Sequence, residues 1–121
     1  MFRWGFYDAF YEFSLQVKRR GHKIEILDEK NEFKDYDAFI FINFPKRNKN
    51  IVNKALNSNK LKYLINLECP TIYPETWDNI NYKFFNKVFT WADNLIDNKH
   101  FYKINCPSYS DKKITNLPNE P

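Results

Sequence analysis

Glycine is scarce in this chain of 121 residues, which contains only Gly5 and Gly21. In α/β domains a nucleotide pyrophosphate is usually held by a glycine-rich turn at the start of the first helix, where backbone amides approach the phosphates closely. Two isolated glycines do not form such a turn. The sequence therefore disfavours a self-sufficient nucleotide-binding domain.

Cysteine is equally rare, and the two cysteines, Cys69 and Cys106, lie far apart with a proline after each of them. This spacing matches neither a redox pair nor a set of zinc ligands. His22 and His100 have no second ligand residue at metal-binding spacing, and no serine lies in a nucleophile-elbow motif. We expect reduced thiols, no metal site and no cofactor bound by this chain.

Long hydrophobic runs are also missing, because no apolar stretch approaches the roughly 20 residues that span a bilayer. The N-terminus lacks the basic-then-apolar order of a signal peptide. We therefore expect a cytoplasmic protein without a transmembrane segment, and association with a membrane surface stays open. The net charge of +4 is spread along the chain and indicates no nucleic-acid partner.

Large apolar side chains are abundant, since the chain has 12 Phe, 8 Tyr and 3 Trp and 43% of its residues are hydrophobic. A chain of this length fits one compact domain, and these side chains are sufficient to build its core. We predict that residues 1–107 form the domain. Residues 108–121 are polar, include Pro118 and Pro121 and show no periodicity, which indicates a linker or the start of a connection to another domain.

Helical and strand patterns alternate along the chain. Apolar residues at helical spacing cover residues 8–20, which end before Gly21, and residues 47–58. Strand patterns cover five segments, namely residues 23–28, 36–43, 61–67, 87–91 and 101–104. Of these, the first predicts an outer strand, and the nearly continuous apolar run of the second predicts a central one. The alternation predicts a Rossmann-like α/β fold, in which helices cover both faces of a parallel sheet and ligands bind beyond the C-terminal ends of the strands.

Glu68 comes directly after the apolar pattern of residues 61–67, where a sheet of this kind opens its ligand crevice. A carboxylate in this position is suited to take a proton from a substrate hydroxyl. The alternative is that Glu68 only accepts hydrogen bonds from backbone amides of the following loop. Pro70 and Pro74 exclude a regular helix directly after Glu68 and predict a shaped loop instead.

Three aromatic residues near Glu68 are candidates for binding a sugar, namely Tyr73, Trp77 and Trp91. Their flat rings can pack against the C–H face of a pyranose, and their polar tips can bond its hydroxyls. Packing in the core is the alternative, and we favour it for Trp91. Trp77 lies in a polar stretch, so we expect it to be the more exposed of the two tryptophans.

Two segments carry a resemblance to a known family: residues 63–78 are YLINLECPTIYPETWD and residues 84–99 are FFNKVFTWADNLIDNK. Together they resemble bacterial α-1,3-fucosyltransferase-like enzymes of glycosyltransferase family 10. In that family a strand ends in Glu, a Pro-containing loop carries Trp-Asp, and a Phe-Asp-Lys-Ile-Phe-Thr-Trp-like strand precedes an Asp-Asn-Lys stretch. The match is strong over residues 63–104 and covers residues 8–46 in outline only.

The resemblance implies the N-terminal, acceptor-side half of a GT-B glycosyltransferase, an inverting enzyme with two Rossmann-like domains and no obligatory metal. Glu68 would be the general base that deprotonates the acceptor hydroxyl for attack on fucose C1 of GDP-fucose. Four further residues would lie near the glycan acceptor, namely Tyr73, Trp77, Asp78 and Trp91.

The family's donor-binding segment would begin after Pro121. The resemblance therefore implies a partner domain for GDP-fucose, on the same or another chain, and little activity without it. The alternative is a catalytically silent binding or interaction module that has the same fold.

Overall fold

The computed structural model describes residues 3–30, 33–47 and 49–105 of the chain. The chain divides into two units, one of which comprises Met1–Glu25 with Pro107–Pro121. The other, Ile26–Cys106, contains the sheet and is called the sheet unit below. The predicted linker at residues 108–121 lies outside the described residues.

The first helix, α1, runs over Arg3–Arg19 and so begins earlier than residues 8–20 predict. It ends where the sequence predicts, because Gly21 adopts a φ of 87° that a residue with a side chain rarely adopts. The Gly21 N–H donates to the carbonyl of Lys18 at 3.0 Å, and the His22 N–H donates to that of Val17 at 3.2 Å. These two bonds satisfy carbonyls that the last helical turn leaves open.

Residues 23–28 form no strand, so the prediction of an outer strand there is wrong. Ile26 is 89% exposed, and Lys23 and Glu25 form an exposed ion pair at 3.9 Å. Leu27 is the residue of this stretch that packs against the core of the sheet unit. Alternation alone does not make a strand, because a segment that buries little apolar surface cannot offset the conformational entropy lost on pairing.

The sheet unit has a four-stranded sheet in the order β1-β2-β3-β4. Its strands are β1 (Ala38–Ile42), β2 (Leu61–Ile65), β3 (Lys87–Thr90) and β4 (Phe101–Lys103). Every neighbouring pair is parallel, as predicted. Among the described residues β1 pairs with β2 alone, so the strand predicted to be central lies at the sheet edge because residues 23–28 do not pair with it.

Short helices connect the strands, which is how parallel neighbours are joined. The helix α2 (Asn50–Asn57) joins β1 to β2. A 3₁₀ helix at Pro74–Trp77 and the helix α3 (Asn79–Tyr82) join β2 to β3. Two further 3₁₀ helices lie at Phe33–Asp35, before β1, and at Asp93–Leu95, before β4. As predicted, the chain after Glu68 forms turns before Pro74 starts a helix.

The core lies on one face of the sheet, because alternate residues of each strand point to it. Its strand members are Phe39, Phe41, Leu64 and Val88, and α2 and α3 contribute Ala55, Leu56 and Tyr82. Burying each of the larger apolar side chains stabilises the fold by about 1.5–3 kcal/mol.

The opposite face of the sheet is more open. Ile40, Ile42 and Leu61 are 43%, 46% and 48% exposed. Helices were predicted on both faces of the sheet. Within the sheet unit, this prediction is confirmed for one face. None of the described helices is both long and apolar enough to cross a bilayer.

Candidate functional site

Three chain segments leave the sheet at its C-terminal edge and are joined there by hydrogen bonds. Asn43 follows β1, residues 66–68 follow β2, and Trp91 follows β3. Because the strands are parallel, their C-terminal ends lie along the same edge, which is where α/β sheets bind ligands. Glu68 therefore lies where the sequence predicts.

Asn43 links the end of β1 to the chain after β2. Its N–H donates to the carbonyl of Ile65 at 2.8 Å and extends the β1–β2 pairing by one bond. Its φ is 61°, a left-handed conformation that Asn tolerates better than most residues. Its Oδ1 accepts from the N–H groups of both Leu67 and Glu68, each at 3.0 Å. One side-chain oxygen thus replaces the sheet hydrogen bonds where the two strands separate.

Two tryptophans bind the same segment through its carbonyl groups. Trp77 Nε1 donates to the carbonyl of Glu68 at 2.8 Å, and Trp91 Nε1 donates to that of Leu67 at 3.2 Å. The two indole rings meet edge to face, with centroids 5.1 Å apart. Both N–H and both C=O groups of Leu67 and Glu68 are therefore bonded to side chains. We call Asn43, Trp77 and Trp91 the clamp.

The side chain of Glu68 is left free by this arrangement. Glu68 is half-buried, and its carboxylate has no hydrogen bond or ion pair with any residue that the structure describes. None of the described backbone amides of the following loop donates to it, which the alternative interpretation of Glu68 requires. The main chain of Glu68 is thus held by hydrogen bonds, while its carboxylate is available to accept a hydrogen bond or a proton.

The exposure of the two tryptophans is the reverse of the prediction. Trp91 is 38% exposed, so it is not a core residue. Trp77 is half-buried and is therefore the less exposed of the two. Trp77 is partly buried because it ends a 3₁₀ helix in which the preceding residue, Thr76, is fully buried. Both indole N–H groups are used within the clamp, so a sugar would meet ring surface on Trp91 rather than a polar tip.

Tyr73 and Asp78 lie on the loop that carries Trp77, but they make no hydrogen bond to the clamp among the described residues. The Tyr73 N–H donates to the carbonyl of Cys69 at 3.0 Å and closes the turn before Pro74. Asp78 is exposed, and its Oδ1 accepts from the Ile80 N–H at 3.1 Å, which caps the start of α3. The structure therefore gives Asp78 a capping role, and its place near an acceptor stays a prediction.

A second connection between the loop and β1 lies in the interior. Thr76 is fully buried, and its Oγ1 accepts from the Phe44 N–H at 2.8 Å. Thr76 and Asn43 were not predicted as site residues, because both bond to residues distant in sequence. An Asn directly after an apolar strand is the signal that could have pointed to a left-handed residue at the end of β1.

Asn66, which directly precedes Leu67, forms a buried polar pair with Tyr82. Asn66 Nδ2 donates to the Tyr82 hydroxyl at 3.3 Å, while Asn66 Oδ1 has no hydrogen-bond partner among the residues that the structure describes. Burial raises the pKa of Tyr82 above its usual value, although the Asn66 bond lowers it, and the negative charge of Asp78 raises it further. The Tyr82 hydroxyl therefore stays neutral at physiological pH.

The Asp-Asn-Lys stretch forms the turn that enters β4. Asp97 Oδ1 accepts from the N–H groups of Lys99, His100 and Phe101 at 2.8 to 2.9 Å. Because these hydrogen bonds favour the charged form, the pKa of Asp97 falls to about 2. Asn98 has a φ of 57° and completes the turn. This stretch therefore has a structural explanation that needs no ligand.

Comparison with family models, with curated proteins and with solved structures gives no significant match for this chain. Within the part of the chain that the structure describes, no three His, Cys, Asp or Glu side chains are grouped closely enough to hold a metal ion. The fold and the site define a small α/β domain with a parallel sheet. At its C-terminal edge lie Glu68, whose carboxylate has no partner among the described residues, and the exposed Trp91.

Proposed function

We propose that this chain is the acceptor-side part of a fucosyltransferase-like inverting glycosyltransferase, in which Glu68 is the general base. The observation that carries the proposal is that the main chain of Leu67 and Glu68 is bonded at four points, while the Glu68 carboxylate has no partner among the described residues. A general base has to be held in place and yet be free to accept a proton. The resemblance to glycosyltransferase family 10 supplies the reaction.

The proposed reaction joins an acceptor hydroxyl to fucose. Glu68 accepts the hydroxyl proton as the oxygen attacks fucose C1, and the bond between C1 and the diphosphate oxygen breaks, which releases GDP. The donor is held by a donor-binding domain on the same or another chain. The exposed ring of Trp91 offers the C–H face of the acceptor sugar a surface, and Tyr73 and Asp78 lie on the neighbouring loop.

The first test measures transfer. The 121-residue chain is mixed with a donor-binding domain of a family 10 enzyme, GDP-fucose and N-acetyllactosamine, and GDP release is followed. Glu68→Gln should lower the rate by about 10²- to 10⁴-fold, which is the usual contribution of a general base. The control is Glu75→Gln, because Glu75 is exposed on the same loop and should leave the rate unchanged. Equal transfer by Glu68→Gln would disprove the assignment of the base.

The second test uses the chain by itself. Titration with N-acetyllactosamine should shift the NMR resonances of the Trp91 ring and of Tyr73 more than those of the turn at Asp97. If none of these resonances moves while the donor-binding domain supports transfer by a true acceptor domain, the acceptor site is wrongly placed.

A second candidate function has an observation of its own in its favour. The open sheet face with Ile40, Ile42 and Leu61, together with the edge of β1, favours a catalytically silent interaction module. For such a module Glu68→Gln would change nothing. Replacement of Ile40 and Ile42 by Thr would abolish partner binding instead, and it would leave N-acetyllactosamine binding intact if the first proposal holds.

A further inference from the structure

Asn43 is the clamp residue that connects Glu68 to the end of β1. It is the one clamp residue that binds the Glu68 N–H, and the same oxygen binds the Leu67 N–H. Its own N–H is fixed to the carbonyl of Ile65 in β2. Asn43 therefore connects Ile65, the last residue of β2, to the backbone of Glu68, the proposed base.

Only a few residue types meet both requirements at this position. The φ of 61° favours Gly, Asn or Asp. The two amides of Leu67 and Glu68 require a side-chain oxygen two bonds from Cβ, which excludes Gly. Asn and Asp remain, and Asp would add a negative charge next to a second carboxylate.

Loss of this oxygen would remove hydrogen bonds that hold the backbone of Leu67 and Glu68. Without it two amides lose their partner in the protein, and the segment keeps only the two indole bonds to its carbonyls. Those bonds come from the 3₁₀ helix Pro74–Trp77 and from the residue after β3, and no hydrogen bond among the described residues then runs directly from the end of β1 to Leu67 or Glu68. A displacement of about 1 Å in a reacting group is enough to lower a rate by about 10²-fold.

We infer that Asn43 is a positioning residue, whose side-chain oxygen holds the backbone of Glu68 so that its carboxylate meets the acceptor hydroxyl. This inference rests on the proposed function of Glu68. Asn43 itself touches no substrate in this mechanism. It acts through the Leu67 and Glu68 amides alone.

Three variants of the full chain test it. Asn43→Gly keeps the left-handed backbone but removes the oxygen, whereas Asn43→Asp keeps the oxygen and adds a charge. The matched control is Asn98→Gly, because Asn98 also has a positive φ, 57°, but lies in the turn before β4. Each is assayed for GDP release with the donor-binding domain, GDP-fucose and N-acetyllactosamine, beside Glu68→Gln, and each is checked by amide hydrogen exchange at Leu67 and Glu68.

Asn43→Gly should lower kcat by about 10- to 100-fold with KM for GDP-fucose unchanged, and it should speed exchange of both amides. Asn43→Asp should restore slow exchange and most of kcat. In that variant the acid limb of the pH–rate profile should move to higher pH, because a second negative charge disfavours loss of the neighbouring proton. Asn98→Gly should match the unsubstituted chain in every measurement.

The outcomes distinguish the positioning role of Asn43 from the proposed role of Glu68 as the base. If Glu68→Gln loses transfer while Asn43→Gly keeps full kcat, Asn43 does not position the base and the proposed function stands. If Glu68→Gln transfers normally, the proposed function fails and the inference fails with it. If Asn43→Asp shows slow exchange but neither recovers kcat nor shifts the pH profile, the role of Asn43 is structural only.

Discussion

Two carboxylates of the sheet unit, Glu68 and Asp97, lie in loops at the ends of strands and are used in opposite ways. Around Asp97 the carboxylate binds the backbone and forms the turn, with three N–H groups on one oxygen. Around Glu68 other side chains bind the backbone and the carboxylate binds nothing among the described residues. The first arrangement uses the charge for stability, while the second keeps it available for chemistry. The contrast distinguishes a carboxylate with a structural role from one that is free for the role proposed above.

The largest effect is expected if the clamp holds Leu67 and Glu68 in place. Trp77→Ala removes the bond to the Glu68 carbonyl and the edge contact with Trp91. It should lower the free energy of unfolding by about 3 kcal/mol, the usual cost of truncating a packed tryptophan. Urea unfolding followed by circular dichroism measures this. Trp77→Phe, which loses the N–H but keeps an aromatic ring, should cost only about 1 kcal/mol, and no cost for Trp77→Phe would contradict the hydrogen-bond argument.

A smaller effect is expected where the loop meets β1 in the interior. Thr76→Val keeps the shape of the side chain but leaves the buried Phe44 N–H without its acceptor. The expected loss is about 2 kcal/mol, the desolvation cost of an unpaired buried amide. Thr71→Val, an exposed threonine of the same loop, is the control and should change stability little. If both variants unfold alike, the Thr76 bond contributes nothing to the position of the loop.

The hydrogen bonds of Asp97 should make the stability of the protein depend on pH in the acid range. Since the pKa of Asp97 is lowered from 3.8 to about 2, the charged form is bound more tightly in the folded state. Its stabilising contribution is therefore complete above about pH 4 and is lost as the pH falls towards 2. Asp97→Asn should lower the urea midpoint at pH 6, and the difference from the unsubstituted chain should shrink between pH 4 and pH 2. A difference that stays constant over this range would remove Asp97 as the cause.

The smallest effect is the most informative about Glu68. Glu68→Gln should change the free energy of unfolding by no more than about 0.5 kcal/mol, because no described group is bonded to the carboxylate. The same variant should lose transfer, so that activity and stability respond separately. A large loss of stability would show that the carboxylate has a structural partner, and the contrast with Asp97 would disappear.

The strands β2, β3 and β4 were predictable because each is a short apolar run between polar breaks, and that pattern depends on local sequence alone. The placement of Glu68 at the C-terminal edge followed from the same pattern. The failures share a physical cause. The segment at residues 23–28 lacked a partner to bury it, and the reversed exposure of Trp77 and Trp91 follows from bonds between residues far apart in sequence, such as Phe44 and Thr76.

Asn43 illustrates the same limit at the candidate site. Its identity and its place after an apolar run were visible, but its two acceptor bonds reach residues 24 and 25 positions further along the chain. Such bonds depend on the register of β1 against β2, which pairs Ile42 with Ile65. Register is a property of the assembled sheet, so no local pattern contains it.

The edge-to-face contact between Trp77 and Trp91 also gives the molecule an optical signature. Two indoles whose centroids are 5.1 Å apart couple their electronic transitions, which produces a paired band of opposite signs in circular dichroism. A sugar that stacks on the exposed face of Trp91 changes the surroundings of one member of that pair. The chain therefore carries a label-free reporter at the place where a glycan is proposed to bind, and its signal is independent of whether any sugar is transferred.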